Sequence, residues 1–178
     1  MEDKTQGGLS DELLESLSEE DRRLLEKYSH TFIGTYSHSL DNKGRLIIPQ
    51  AFRDQLGDTF CVGPSFNFKS VALYPTLVWA RLRDGYAKLS AYDARLKRFL
   101  EQFDAMSYRD QELDTQGRIL LPVRIRQRIL GESKEIEVSG SGDYIRLSPA
   151  ESSDQDYEKF MEELDDIQLA IGELSKQQ

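Results

Sequence analysis

The chain has 178 residues, 38% of them hydrophobic and 31% charged, a composition typical of a folded globular protein. No apolar stretch approaches the roughly 20 residues of a membrane-spanning helix, which argues against a transmembrane protein. The formal net charge of −9 is uneven: residues 1–30 sum to −5, residues 151–178 to −7, and residues 31–150 to +3. The mildly basic middle permits a nucleic-acid ligand without selecting one.

The first predicted element is an acidic helix over residues 10–28. Its apolar stripe consists of Leu13, Leu17, Leu24 and Tyr28. This N-terminus lacks the apolar segment of a signal peptide. The one cysteine, Cys61, allows no internal disulfide and reads as a small core residue within a buried strand. Together these features predict a cytoplasmic protein.

The next segment predicts a β-hairpin followed by a helix and two more strands. The predicted elements are, in order, a strand (36–41), a turn (42–44), a return strand (45–48), a helix (50–56) and strands at 60–62 and 71–73. Gly44 is expected to supply the positive φ that the turn requires. Phe52 and Leu56 are expected on the buried face of the helix.

Residues 76–103 predict a helical segment that links this unit to the next. Thr76 is the expected cap, and Gly85 is the candidate for a break. The side chains expected to face the core are those of Leu77, Trp79 and Leu82. Apolar residues continue at helical spacing, namely Leu89, Tyr92, Leu96, Phe99 and Phe103.

The chain contains an internal repeat. Residues 40–49 (LDNKGRLIIP) align with residues 113–122 (LDTQGRILLP) at an offset of 73. The alignment continues through Arg53 and Arg126, with Phe52 and Leu56 matched by Ile125 and Ile129. Residues 71–75 then match 145–149 at an offset of 74. The matching strands of the second copy are predicted at 136–138 and 144–147, joined by a tight turn at 140–143.

The repeat divides the chain into four segments. These are an acidic N-terminal extension (1–30), a first repeat with its linking helix (31–106), a second repeat (107–150) and an acidic C-terminal helix (151–178). The apolar stripe of the last helix includes Tyr157, Phe160, Met161, Leu164 and Ile167. The resulting fold class is α+β, with two tandem β-hairpin repeats and peripheral helices.

The sequence offers no catalytic or metal-binding set. The two histidines, His30 and His38, have no cysteine or acidic neighbours at metal-ligand spacing. No nucleophile elbow, phosphate-binding glycine loop or paired carboxylates are recognisable. We therefore expect neither an enzyme nor a cofactor.

The repeated Asp-x-x-Gly-Arg turn is the candidate site, and two interpretations apply to it. In the structural one, Asp41 and Asp114 cap the turns and pair with Arg45 and Arg118. In the functional one, each arginine also projects a planar donor fork that can contact phosphates or read guanine in the major groove, which a two-stranded ribbon can enter. The first turn carries Lys43 where the second carries neutral Gln116, which makes it the better candidate for binding DNA.

The segment HSLDNKGRLIIP at 38–49, with Phe52 and Arg53, resembles the first signature of the MraZ family of bacterial transcriptional regulators. Residues 113–122 resemble the second signature, and 95–105 resemble the segment before it. The resemblance covers roughly 32–160. It implies a double-split β-barrel core related to the AbrB and MazE proteins. It also implies a ring-shaped homo-oligomer, of octameric or dodecameric type, that binds promoter direct repeats upstream of the division and cell-wall gene cluster and its own gene.

Carried over by position, the resemblance makes Arg45 the main contact to double-stranded DNA. Asp41, Lys43 and Gly44 shape its loop, and Arg118 with Asp114 forms the weaker equivalent. The protein would then be a nucleoid-associated repressor. The acidic ends depart from the family pattern, and they leave an alternative open: a ring-forming scaffold whose acidic helices bind other proteins.

Overall fold

A computed structural model describes residues 15–176. The elements in chain order are α1 (Glu19–Tyr28), β1 (Thr35–Ser39), β2 (Arg45–Ile47), α2 (Gln50–Leu56), β3 (Phe60–Pro64), β4 (Val71–Pro75), α3 (Thr76–Ser90), α4 (Ala94–Ala105), β5 (Tyr108–Gln111), β6 (Arg118–Leu120), α5 (Val123–Ile125), a π-helical turn (Arg126–Leu130), β7 (Glu135–Gly140), β8 (Ile145–Pro149) and α6 (Ala150–Ser175).

The eight strands form two sheets that combine both repeats. A six-stranded antiparallel sheet has the order β1-β7-β8-β4-β3-β5, and β2 pairs with β6 in a separate two-stranded ribbon. The strands β1, β3 and β4 of the first repeat correspond to β5, β7 and β8 of the second. Replacing each strand by its counterpart gives the same order read in the opposite direction, so the sheet has an approximate two-fold axis between β4 and β8. The first strand of each repeat pairs with the third strand of the other, since β1 lies beside β7 and β5 beside β3. The repeats are therefore intertwined within one sheet.

This pairing corrects the predicted hairpins. The strands on either side of each Asp-x-x-Gly-Arg turn exist, but they do not pair with each other: β1 pairs with β7, and β2 with β6. The chain reverses at each turn through local hydrogen bonds, so no strand ladder is needed to close it. An isolated two-stranded hairpin is only marginally stable, whereas exchange places β1 beside the longer strand β7 and β5 beside the longer strand β3 in the six-stranded sheet.

Both faces of the six-stranded sheet are covered. Along β4, Val71 and Leu73 join the main core with the inward side chains of the β2–β6 ribbon, while Ala72 and Tyr74 face α3 and α4. Alternation along a strand sends successive side chains to opposite faces, so an uninterrupted apolar strand such as this one is buried on both. A second cluster of buried residues, formed by Cys61, Ala72, Tyr74 and Phe103, lies on the side of α3 and α4. Burial there raises the pKa of the Cys61 thiol to about 12, in agreement with the predicted core role.

The predicted linking helix is two helices, and the break is not at Gly85. That residue lies inside α3, with nothing within 4 Å of the position its Cβ would occupy. The chain breaks at residues 91–93, where Asp93 caps α4 by accepting a hydrogen bond from the Arg95 amide. An interior glycine lowers helix stability by about 1 kcal/mol, which packing on the sheet offsets.

Only part of the apolar pattern in this segment is buried. Trp79, Leu82 and Phe99 pack against the second cluster and Phe103 is fully buried. Leu77 does not face the core as expected. The exposed apolar side chains of the segment are those of Leu77, Leu89, Tyr92 and Leu96.

The helix that follows the second turn contains one residue more than its counterpart in the first repeat. Leu56 ends α2 fully buried, and the buried residue at the matching place is Leu130, whereas Ile129 is only partly buried. The predicted match of Leu56 with Ile129 is therefore wrong by one position. The extra residue is accommodated in the π-helical turn, where the Gly131 amide donates to the Arg126 carbonyl. This insertion explains why the repeat offset changes from 73 to 74.

The two acidic ends are helical where the structure describes them. α1 begins at Glu19, where Ser18 caps the helix by accepting a hydrogen bond from the Asp21 amide. The predicted start at residue 10 lies outside the described residues. α6 extends over 26 residues and buries none of its side chains completely. Within the described part of the chain, no helix combines the length and hydropathy that crossing a bilayer requires.

Candidate nucleic-acid interface

The first turn is organised by the Asp41 carboxylate. Its Oδ1 accepts hydrogen bonds from the amides of Lys43 and Arg45, each at 2.9 Å, and its Oδ2 accepts one from Arg45 Nε at 2.6 Å. The Asp41 carbonyl accepts the Gly44 amide at 2.9 Å, which needs the glycine φ of +80° observed there. One carboxylate thus closes the turn and fixes the arginine side chain.

The second turn repeats this arrangement. Asp114 Oδ1 accepts from the amides of Gln116 and Arg118 at 2.9 and 3.0 Å, and its Oδ2 accepts from Arg118 Nε at 2.8 Å. Arg118 Nη2 also lies 2.7 Å from Oδ2, and Gly117 has φ +74°. The structural interpretation of both motifs is confirmed. Arg118 is held by two of its nitrogens, whereas the Asp41 carboxylate contacts Arg45 through Nε.

The clamps also shift the acidity of both aspartates. Hydrogen bonds from the backbone amide and side chain of Arg45 lower the Asp41 pKa below its usual value. For Asp114 the side-chain hydrogen bond from Arg118 is the largest cause, and its pKa falls to about 2. Both carboxylates therefore stay ionised, and keep their arginines fixed, at any pH near neutrality.

The two turns lie at opposite ends of the β2–β6 ribbon. Arg45 is directly opposite Leu120, and Arg118 is opposite Ile47. Each turn is also bonded to the other repeat: the Ile48 amide donates to the Gly117 carbonyl at 2.9 Å, and the Leu121 amide donates to the Gly44 carbonyl at 3.1 Å. The ribbon therefore holds both arginine turns in one rigid frame.

The outward face of the ribbon carries both arginines. Leu46 and Ile119 form the inward pair and are fully buried. Alternation places Arg45, Ile47, Arg118 and Leu120 on the opposite face. The Arg45 side chain is 30% exposed and that of Arg118 is 24% exposed, so each reaches solvent. Diagonal positions in an antiparallel pair lie roughly 7–8 Å apart, which sets the separation of the two arginine Cα atoms.

Two further arginines lie at the turns, and the sequence analysis did not place them in the site. The side chain of Arg126, from the second repeat, lies against Gly44 where a Cβ would be. The side chain of Arg53, from the first repeat, lies in the same way against Gly117. Their alignment within the repeat was a signal for both, but strand exchange decides which turn each one reaches.

The charges around the first turn are less neutralised than those around the second. Lys43 is exposed, and across residues 15–176 its ammonium group has no hydrogen bond or ion pair. Its counterpart Gln116 is neutral. In the described chain, no group of three His, Cys, Asp or Glu side chains is arranged to hold a metal ion. The site offers cationic donors at fixed positions, which suits an anionic, hydrogen-bond-accepting ligand.

These features define a class: a duplicated, strand-exchanged protein that presents two carboxylate-clamped arginines at the ends of one ribbon. A family model described as "MraZ protein, putative antitoxin-like" matches residues 31–101, which contain the first turn. A "Transcriptional regulator MraZ" from Leuconostoc mesenteroides is 39% identical over 123 residues, covering 68% of this chain and 82% of that protein.

Two other relatives carry the same name. The protein from Leuconostoc citreum is 35% identical over 136 residues, covering 76% of this chain and 93% of its own length. The protein from Moorella thermoacetica is 34% identical over 149 residues, covering 78% and 99%. This chain therefore belongs to the MraZ family, and the family predicted from residues 38–49 is confirmed.

Proposed function

We propose that this protein is a sequence-specific DNA-binding transcriptional regulator that reads DNA with the outward face of the β2–β6 ribbon. The observation that carries the proposal is the hydrogen bonding of the Arg45 guanidinium. Asp41 fixes its guanidinium through Nε, and within the described residues no hydrogen bond engages either Nη atom. A guanidinium fixed on one edge presents its other donors in a set orientation, as guanine O6 and N7 require.

The spacing of the two arginines also supports DNA as the ligand. Their Cα separation of roughly 7–8 Å corresponds to about two base-pair steps of ~3.4 Å. A two-stranded ribbon is narrow enough to enter the major groove. Arg45 would be the principal base contact, with Lys43 adding a phosphate contact and Arg118 a weaker contact at the other end. Asp41, Gly44 and Asp114 would hold the loops in shape.

The finer details follow the family resemblance. The ribbon closing one side of the six-stranded sheet is what a double-split β-barrel would require. The segments 31–106 and 107–150 would be its two repeats, with 1–30 and 151–178 as acidic additions. A ring of protomers would engage promoter direct repeats upstream of the division and cell-wall genes and of its own gene. Once one loop is bound, each further loop would bind the same DNA molecule intramolecularly. The weak affinities of single loops would then combine into the tight operator binding that repression needs.

We propose a cytoplasmic location in association with the nucleoid, because the DNA that such a regulator would bind lies there. The name shared by its relatives is that of a regulator rather than an enzyme, which supports a binding function over catalysis. We infer no metal or cofactor requirement for the proposed reading of DNA.

A direct test is binding of the full chain to the DNA upstream of its own gene, compared with a random duplex of the same length. Arg45→Ala should keep its circular dichroism spectrum but lose specific binding by ~1–3 kcal/mol per loop, multiplied across the oligomer. Arg118→Ala is the matched control and should lose less. Unchanged affinity in the Arg45 variant would refute the proposal.

The second candidate, a ring-forming protein-interaction scaffold, draws support from α6. Its apolar side chains are exposed along the helix, including Tyr157, Leu169, Ile171 and Leu174. Deleting both acidic ends, residues 1–30 and 151–178, separates the candidates, since a DNA-binding regulator should retain its affinity for DNA, whereas a scaffold that uses these ends should lose its protein partners.

A further inference from the structure

We infer that Arg126 forms a phosphate-binding subsite at the first turn, so that this site is composed of residues from both repeats. The inference rests on the proposed DNA-binding function and extends it to a residue outside the Asp-x-x-Gly-Arg motif. The ligand class is a phosphodiester oxygen of the DNA backbone.

The position of Arg126 is the first step. Its Nη1 atom lies in the place that a Cβ on Gly44 would occupy, directly beside the loop that carries Lys43 and Arg45. Gly44 is buried beneath it, and Arg126 itself is half-buried. The guanidinium therefore packs on the backbone of the turn, close to the donors proposed to read the bases.

The guanidinium of Arg126 also has no partner among residues 15–176. In the part of the chain that the structure describes, no hydrogen bond, ion pair or ring contact engages the Arg126 side chain. A guanidinium carries five N–H donors, and removing part of it from water without acceptors is unfavourable. An anion at this place would supply the missing acceptors.

Comparison with Arg53 shows that the lack of a partner is specific to the first turn. Arg53 lies on Gly117 in the equivalent place, but its Nε donates to the Ile48 carbonyl at 2.8 Å and its Nη1 donates to Gln50 Oε1 at 2.9 Å. The residue equivalent to Gln50 is Val123, which has no acceptor in its side chain. Within the described part of the chain, the arginine at the first turn therefore has donors available for a ligand, whereas the arginine at the second turn is hydrogen-bonded to the fold.

The helix that carries Arg126 differs in a related way. Arg126 is the first residue of the π-helical turn, whereas Arg53 lies within the regular helix α2. Single π-helical turns often mark functional sites. The inserted residue lies in the π-helical turn that begins at Arg126. The change from Gln50 to Val123, three residues before each arginine, removes a hydrogen-bond acceptor. Both differences make the two turns chemically unequal.

A phosphate is favoured over a base as the ligand because of where the donors lie. Arg45 is fixed by Asp41 and presents its free edge from the ribbon, while Arg126 lies over the turn itself and is not fixed by a carboxylate. Phosphates flank every base step, and arginine binds them in the same bidentate way as carboxylates. The Asp41 carboxylate accepts three hydrogen bonds from Arg45 and Lys43, and no hydrogen bond or ion pair of the described residues joins it to Arg126.

The experiment measures binding of the full chain to two duplexes, the DNA upstream of its own gene and a random sequence, over a series of salt concentrations. Arg126→Gln should weaken binding to both duplexes by about tenfold, as expected for one charge-assisted hydrogen bond. It should lower the slope of log K against log salt by about 0.9 per protomer contact. Arg126→Lys should restore the salt slope, because it keeps the charge, but should recover only part of the affinity, because lysine cannot make the bidentate contact.

Arg81→Gln is the matched control. It removes the same charge from an exposed position on α3, which covers the sheet face away from the ribbon, and the salt slope should not change. Circular dichroism should give the same spectrum for all variants, because no hydrogen bond within residues 15–176 involves the Arg126 side chain.

The outcomes separate this inference from the function on which it rests. If Arg45→Ala abolishes specific binding while Arg126→Gln retains the wild-type affinity and slope, the phosphate subsite is wrong and the proposed function stands. If neither variant differs from the wild type, the proposed function itself fails. A loss seen with the upstream duplex alone would contradict a phosphate contact, because such contacts do not depend on sequence.

Discussion

Substituting Gly44 by alanine separates two requirements that meet at one residue, a positive φ and room for the Arg126 side chain. Gly44 has φ +80° with Arg126 in the place of the missing Cβ; Gly142 has φ +76° with nothing within 4 Å of that place. A left-handed conformation costs an L-residue about 1–2 kcal/mol. Gly142→Ala is therefore a matched control that includes the conformational cost alone.

The expected result is a similar loss of stability in the two variants and a different loss of function. For a chain of 178 residues, a loss of 1–2 kcal/mol corresponds to a fall in Tm of roughly 2–8 °C. The clash at Gly44 adds little to this, because the atoms that must move are the end of a flexible arginine side chain. The new methyl group displaces Arg126, so DNA affinity should fall only in Gly44→Ala.

Thermal unfolding by circular dichroism and a salt-series binding assay measure the two effects. Combining Gly44→Ala with Arg126→Gln should reduce affinity by less than the sum of the separate losses, because both changes remove the same contact. Wild-type DNA affinity in Gly44→Ala would contradict the proposed contact between Arg126 and DNA. A Tm for Gly44→Ala far below that of Gly142→Ala would show that displacing the arginine is structurally costly, contrary to the prediction.

Two more predictions concern the ribbon and its clamps. Leu46→Ala should lower the free energy of unfolding by about 2–5 kcal/mol in chemical denaturation, because the side chain is fully buried, whereas Leu120→Ala at an outward position that is 59% exposed should cost far less; equal losses would contradict the assigned facing of the ribbon. Because the folded-state pKa of Asp114 is lowered from 3.8 to about 2, its contribution to stability should be complete above pH 4 and disappear as the pH falls towards 2. An NMR titration of the carboxyl should find that midpoint in the wild type and a higher one in Arg118→Ala; the same midpoint in both would exclude the clamp as the cause.

Local elements were predictable because their signals are local. The turn glycines and the short helix after Pro49 depend on residues within a few positions of one another. The turn chemistry was predictable for the same reason, since Asp41 and Arg45 are four residues apart. The hydrogen bonds that join these residues are the ones that the Asp-x-x-Gly-Arg pattern indicates.

Strand partners were not predictable in this way. Strands that pair in a hairpin and strands that pair by exchange have the same alternation of apolar and polar residues and the same turn. The sequence pattern therefore indicates which face of a strand is buried but not which strand lies beside it. The contact between Arg126 and Gly44 depends on that exchange, so the sequence placed both residues in the repeat without bringing them together. One non-local feature was visible: the offset changes from 73 to 74 where the π-helical turn occurs.

The exposed residues of α3 and α4 show a second limit. Leu77 and Leu89 have helical spacing and are nevertheless exposed, because each helix contacts the sheet along only one side. Hydrophobic periodicity identifies the helix correctly but does not say how wide its buried face is. The same applies to α6, whose apolar stripe is not fully buried at any position.

The two ends of the β2–β6 ribbon carry different side chains, and this difference gives the protomer a direction. The backbone of double-helical DNA has local two-fold symmetry. A DNA-binding ribbon with perfect internal two-fold symmetry would therefore bind equally well in both orientations along the duplex. One end of the ribbon carries Lys43 and Arg126, whose side chain has no partner among the residues that the structure describes. The other end carries Gln116 and the hydrogen-bonded Arg53. If the ribbon binds DNA as proposed, its unequal ends would distinguish upstream from downstream, as operators repeated head to tail would require of each subunit.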